Sequence, residues 1–357
     1  MKLFFDARYI RTDYHDGVSR YSAELGCALG KLASVTYLIH DKAQIPFLPE
    51  NSHFLIIHAP TSPKEPLTAR FLNKHNPDVV VSPMQTIGST GRKYKLVLTL
   101  HDMIYYRHPT PPSNLSWPIR LGWRLYHSSY TPQRITLNAA DLIMTVSETS
   151  KIDIETARLT KKPIIVVPNA PRDLHEFYPK QVVQKKNPPK NLIFMGVPRG
   201  YKDVETLIAG MEWLPDRTLH ILSPISTKRR QELTALIPKG ANVLFHNGVS
   251  DEEYAALLAD DALLVTATRD EGYGLPVAEG LKFGVPAVIT DLPILREVAG
   301  SGALYFKVGN PKDFADKVKS LDDKETREKI VANGQSYIDK FSWDKSAEIL
   351  LEAVKKL

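Results

Sequence analysis

Two glutamates, Glu271 and Glu279, bracket the stretch "EGYGLPVAE", which is punctuated by glycines and a proline. The apolar run "ALLVTAT" before it reads as a strand, and the loop "RDEGYG" follows. Pro276 is placed at the start of a short helix, "PVAEGLKF", where its fixed φ suits the first helical position, and Gly284 is the expected C-cap. Gly272 and Gly274 allow the backbone to approach a ligand closely. The amides of Gly274 and Leu275 then lie at a helix N-terminus, a site suited to an anion. Glu271 in the loop and Glu279 one turn into the helix line the same mouth, and ionised carboxylates accept hydrogen bonds from hydroxyls. A phosphate pocket flanked by two such acceptors fits a nucleotide sugar, with sugar hydroxyls on one carboxylate and ribose hydroxyls on the other. The bland alternative is a capping pair on an ordinary helix.

Three further stretches carry candidate chemistry. In "FMGVPRGYKDVETLI" (194–208) a strand ends, a loop with Gly196 and Gly200 follows, and a helix starts near Asp203. Arg199 and Lys202 flank that start as a diphosphate clamp able to neutralise a leaving group. In "LVLTLHDMIYYRHP" (96–109), His101 and Asp102 end a buried-type strand, and His101 is a candidate base or hydrogen-bond donor. On these residues alone a structural histidine is the stronger reading. In "DYHDGVSRYSAEL" (13–25), Gly17 precedes a helix with Arg20 and Tyr21 in its first turn, like a phosphate-approach loop.

Other chemistries lack their motifs. No G-x-G-x-x-G follows the first strand, and there is no Walker A sequence, H-E-x-x-H or C-x-x-C. Asp260 and Asp261 precede a strand as adjacent carboxylates, a poor metal clamp, and Ser147 lacks the nucleophile elbow. The single cysteine, Cys27, reads as a small buried residue.

These loops need strands and helices to hold them. A chain of 357 residues predicts two domains. Apolar, β-branched runs alternate with helical patterns throughout, seven in the first half and five in the second, which predicts parallel sheets with right-handed crossovers in doubly wound α/β domains. The polar stretch "YPKQVVQKKNPPK" reads as a linker, giving domains over 1–177 and 191–340, a linker over 178–190, and an amphipathic helix over 341–357 with Ser342 as N-cap. Ligand sites of such domains lie in loops at strand C-terminal ends, and a cleft between facing domains is the expected site. The start "MKLFFDARYI" lacks the apolar core of a signal peptide, so a cytoplasmic location is expected. Charge is uneven: residues 1–180 hold 22 Lys+Arg against 15 Asp+Glu, and 181–357 hold 24 against 25. The basic half favours an anionic partner, with lipid headgroups, a phosphorylated acceptor or nucleic acid all open. The segment "SWPIRLGWRLYHSSY" (116–130) is expected to be a core-packed helix, with an interfacial membrane patch as the alternative.

The stretch Glu271–Gly280 resembles the E-x7-E signature of the retaining glycosyltransferases of family 4, which have the GT-B fold of two Rossmann-like domains facing across a cleft. "DGVSRYSAEL", "LTLHDMIYYRHP", "ADLIMTVSETSKIDI", "IIVVPNAP", "FMGVPRGYKD", "LFHNGVSDEEYAALLADDALLVTAT", "FGVPAVITDLPILREVAG" and "FSWDKSAEILLEAV" are similar to the family's successive segments, in order and over most of the chain. The resemblance implies that Glu271 contacts the donor sugar, Glu279 the ribose and Lys202 the diphosphate. The family's phosphate arginine directly follows the glycine at Gly196; Val197 stands there, so Arg199 takes that role. His101 becomes an active-site histidine near the sugar, Gly17 a glycine close to the phosphates, and Gly248 and Val249 the loop whose backbone meets the base.

The resemblance further implies a hexosyltransferase that retains configuration, uses a nucleoside diphosphate sugar as substrate, and needs no metal or other cofactor. The expected donor is GDP-mannose first and a UDP-sugar second. The expected acceptor is a saccharide or glycolipid, with a peripheral membrane surface as a further partner and no nucleic acid. A nucleotide-sugar epimerase of the same fold and a non-catalytic nucleotide-sugar-binding subunit are the alternatives.

Overall fold

The computed structural model describes residues 1–13, 16–111, 116–180, 182 and 187–357. The chain forms two compact units, one of Met1–Asn169 with Phe341–Leu357, the other of Ala170–Lys340. The division falls upstream of the stretch 178–190, of which residues 181 and 183–186 lie outside the described residues.

Unit 1 is built on seven strands, β1 (Leu3–Asp6), β2 (Val35–Ile39), β3 (His53–Ile56), β4 (Val79–Ser82), β5 (Lys95–Thr99), β6 (Leu142–Thr145) and β7 (Ile164–Val166), in the order β3-β2-β1-β4-β5-β6-β7. All pair in parallel. β1, β4 and β6 are buried along their whole length, as expected of strands covered by helices on both faces, whereas the edge strand β3 is largely exposed. The helix Gly17–Leu32 starts at Asp16, whose side chain accepts from the Ser19 amide, and buries Tyr21, Leu25 and Leu29. The helix Trp343–Lys355 packs on it: Trp343 meets Tyr21 edge-on at 5.7 Å, and Ser346 donates to the Pro168 carbonyl at 2.7 Å. Ser342 caps this helix as the sequence suggests.

Unit 2 carries β8 (Asn191–Phe194), β9 (Thr218–Ile221), β10 (Asn242–Phe245), β11 (Ala262–Thr266), β12 (Ala287–Thr290) and β13 (Ala303–Phe306), in the order β10-β9-β8-β11-β12-β13, again all parallel. β13 was not foreseen from the sequence. It is a short edge strand following Gly300 and Gly302, with its two middle residues only half buried, and its run Ala303–Phe306 was passed over although it is apolar throughout. The core between sheet and helices gathers Phe194, Leu207, Leu219, Val265, Val288 and Phe314.

One expectation fails in unit 1. The segment 116–130 is a helix over Trp117–His127, but none of that helix is buried. Trp117, Leu121 and Leu125, spaced by four, form one exposed line, with Trp117 75% and Leu125 66% exposed. The other side carries Trp123, which stacks on His127 at 4.0 Å and meets Tyr105 edge-on, while Tyr126 donates to Gln133 at 3.0 Å. This aromatic cluster satisfies the inner face and leaves the apolar outer line over. Among the described residues no helix is long and apolar enough to cross a membrane.

Candidate active site

Both sheets follow the order 3-2-1-4-5-6, extended by a seventh strand in unit 1. This order reverses direction between the first and fourth strands of each unit, and ligands of such sheets bind at that switch point, outside the strand C-terminal ends. In unit 2 the switch lies between β8 and β11, and the loops leaving these two strands carry the candidate residues. After β8 the chain runs through Gly196, at φ +152°, to a 3-10 turn over Gly200–Lys202. The Gly196 amide donates to Ser223 at 3.0 Å, and a Cβ on Gly196 would stand 3.9 Å from the Lys202 stem. Asp203 then takes a left-handed φ of +48° and pairs with Arg269 at 2.9 Å, while the Arg269 amide donates to the Tyr201 carbonyl at 2.7 Å. The two loops are thus bolted to each other.

The outcome is direct contact between two of the predicted residues. Lys202 Nζ donates to both Glu271 carboxylate oxygens, each at 2.7 Å, and the pair is mostly but not wholly buried, at 16% and 13% exposure. Arg199 stands exposed at the head of the same turn. Gly274, at φ +96°, is the N-cap of the helix Leu275–Phe283; Pro276 is its second residue rather than the expected first. A Cβ on Gly274 would come within 3.0 Å of a Leu295 methyl and 3.7 Å of the Glu271 stem, so a side chain there is strained by the backbone conformation and must push Leu295 aside. Gly280 lets this helix close on β11, where a Cβ would meet Leu264 at 2.9 Å, and Gly284, at φ +85°, ends it.

Glu279 lies on the buried face of the helix, 2% exposed. Arg172 Nε lies 3.3 Å from its Oε1, and Arg172 Nη1 lies 2.5 Å from Asp251 Oδ2. Burial pulls the Arg172 guanidinium down, but Asp251 and Glu279 together hold it above its ordinary value. Asp251 opens the helix Asp251–Ala259, capped by a reciprocal Ser250–Glu253 box. Immediately before it, Asn247 and Gly248 have positive φ, and the Gly248 amide donates to Leu222 at 2.8 Å, which fixes the Gly248–Val249 turn. Arg172 was missed in the sequence, because a lone arginine after a strand has no spacing that marks it.

In unit 1, Gly17 opens its helix at an exposed position; Tyr14 and His15 of the same loop lie outside the described residues. His101 follows β5 and lies edge-on to Tyr21, with centroids 4.9 Å apart. Its Nε2 is 2.8 Å from the Pro83 carbonyl, which can only accept, so Nε2 carries the proton and Nδ1 is an acceptor. Burial lowers the His101 pKa, which favours this neutral form. Asp102 accepts from the Ile104 amide at 2.8 Å. At the unit 1 switch point stands a network no motif announced: Arg8 is bound twice by Asp6, at 2.7 and 2.9 Å, and twice by Glu65, at 2.7 and 3.0 Å, with His58 on Glu65 at 3.0 Å. Among the described residues no three His, Cys, Asp or Glu are grouped to hold a metal ion.

Two family models match the chain in sequence: Glycosyltransferase Family 4 over residues 15–170, and Glycosyl transferases group 1 over residues 178–337. The chain is a glycosyltransferase of the family 4 type. This glycosyltransferase is 29% identical to the O-antigen chain mannosyltransferase B of Escherichia coli over 288 residues, covering 74% of this chain and 71% of the relative. It is 23% identical to the O-antigen chain mannosyltransferase RfbU of Salmonella typhimurium, covering 58% of each, and its match to the serotype-specific mannosyltransferase WbdA of Escherichia coli spans only 12% of that protein. Among solved structures, HepE from Anabaena in complex with UDP and glucose gives a TM-score of 0.71 at 17% identity, covering all of both chains. WaaG, a glycosyltransferase involved in lipopolysaccharide biosynthesis, gives 0.69 at 15%, covering 99% of each. These likenesses show the GT-B fold of two Rossmann-like domains.

Proposed function

We propose that this glycosyltransferase moves a hexose from a nucleoside diphosphate sugar to a saccharide or glycolipid acceptor, with retention of configuration and without a metal. GDP-mannose is the first candidate donor and a UDP-sugar the second, an order supported by the mannosyltransferase names of its relatives. The observation that carries the reading is the Lys202–Glu271 pair at the β8/β11 switch point. An ammonium held by one carboxylate can turn to a diphosphate, leaving the carboxylate to accept sugar hydroxyls. Lys202 and Arg199 take up the charge that develops on the leaving nucleoside diphosphate, and the amides of Gly274 and Leu275 add a helix N-terminus. Glu279 accepts from the ribose, and the Gly248–Val249 backbone meets the base. In unit 1, His101 Nδ1 accepts from a sugar hydroxyl, and Gly17 lets phosphate approach. The leaving phosphate accepts the proton of the attacking hydroxyl.

The test is an assay with GDP-mannose and UDP-sugars, with and without a saccharide acceptor, in the presence of EDTA, with product anomers read by NMR. Acceptor-dependent nucleotide release with retention is expected. Inversion or loss of activity in EDTA refutes the mechanism, an epimeric sugar formed without acceptor favours an epimerase, and no turnover across the panel favours a binding subunit. The reading extends to a peripheral membrane surface. The exposed Trp117–Leu121–Leu125 line beside Arg124 suits an anionic bilayer interface. Co-sedimentation with phosphatidylglycerol vesicles that survives Trp117→Ser together with Leu125→Ser argues against that surface.

A further inference from the structure

We propose that Arg172 is a positioning residue for nucleotide binding, clamping Glu279 to the start of the helix that follows Gly248–Val249 so that ribose and base are recognised as one unit. This rests on the reading that Glu279 meets the ribose.

A carboxylate as buried as Glu279 needs a partner, since an unpaired buried charge is expensive. Arg172 is one such partner. Its Nε stands at 3.3 Å, the long end of a hydrogen bond, while its Nη1 makes the short 2.5 Å contact with Asp251. The guanidinium is held from a third side by the Phe177 ring, 5.2 Å from its centroid.

The segment carrying Arg172 is itself anchored to the helix that carries Glu279. Leu174 is buried, His175 lies against Phe283 at 4.7 Å, and Asp173 caps the turn Leu174–Glu176. Arg172 therefore reaches both carboxylates from a fixed base. Its planar fork can bridge two acids on separate helices, which a point-charged ammonium does poorly. The Gly248–Val249 turn is separated from Asp251 by Ser250 alone, so a shift of Asp251 moves the backbone proposed to meet the base.

The test measures dissociation constants for GDP and UDP, for their 2′,3′-dideoxy counterparts, and for inorganic pyrophosphate. Arg172→Ala is expected to weaken the better-bound ribonucleotide roughly 10- to 100-fold, the range for losing a hydrogen bond to a charged group. It leaves pyrophosphate binding unchanged and brings the ribo/dideoxy ratio towards one. Arg172→Lys recovers part of the loss. Asp251→Asn, which loosens the clamp without touching Glu279, gives a smaller loss in the same direction. Equal weakening of ribonucleotide and pyrophosphate, or a ribo/dideoxy ratio kept in Arg172→Ala, overturns the proposal alone. A wild-type protein that does not distinguish ribo- from dideoxynucleotide overturns the ribose reading of Glu279, and the proposal with it.

Discussion

The switch points of the two sheets share a strand order and differ in what fills them. In unit 1 a guanidinium, Arg8, is closed between two carboxylates with every fork position used, and both Arg8 and Asp6 side chains are fully buried. In unit 2 an ammonium, Lys202, meets one carboxylate at a partly open position, with glycines at 196 and 274 clearing the backbone around it. The closed, dry Arg8–Asp6 pair gives a ligand no access and serves the fold. A half-open pair on glycine-lined loops can exchange its partner. The difference between the two ion pairs lies in access, not in the residue types.

Substitutions can break this contrast. The largest effect is expected for Arg8→Ala, which leaves Asp6 buried without its partner and lowers unfolding free energy by about 3–5 kcal/mol. Urea unfolding followed by circular dichroism measures it, and an unchanged midpoint would place the Arg8 network among the exchangeable pairs. Next is Lys202→Ala, with turnover down about 100- to 1,000-fold and a stability loss smaller than that of Arg8→Ala, because this pair is not wholly buried. A stability loss matching that of Arg8→Ala would erase the contrast. Within unit 2, Glu271→Ala should impair transfer more than nucleoside diphosphate binding, and Glu279→Ala the reverse; equal effects on both readouts refute that division.

The smallest effect concerns pH. Burial holds the imidazoles of His101, His127 and His220 below their usual 6.5. As pH falls through 6.5 the unfolded chain protonates these groups before the folded one does, so the stability they contribute at neutral pH is lost below that point. His101 and His127 lie in unit 1, so acid should weaken unit 1 more than unit 2. Urea midpoints at about pH 7.5 and about pH 5.5 test this, and a midpoint that holds or rises on acidification contradicts it.

Much of this was legible in the sequence. Twelve of the strands announce themselves as apolar runs, the central ones because strands of a covered parallel sheet are buried on both faces. The loop around Gly274 was legible because a left-handed backbone packed against Leu295 favours glycine. What stayed hidden depends on distant partners. Arg8 pairs with Glu65, Arg172 with Glu279, and neither spacing has a period to detect. The helix Trp117–His127 misled for a related reason: tryptophans and leucines at helical spacing look the same whether or not a core exists to receive them, and here Tyr105 and its neighbours take up only one side.

The helix Trp343–Lys355 makes the chain a host with a guest inside it. Unit 2 is inserted between the two segments of unit 1, and Lys31 reaches Asp344 across 313 residues of sequence. Closing so long a loop costs entropy that grows with its length, and contacts of such separation slow folding. A guest that folds first into a compact body draws the ends of the host's missing loop together. Unit 2 would then act as a scaffold for the completion of unit 1, and a fragment ending at Asn169 would expose the face of the helix Gly17–Leu32 that Trp343 covers.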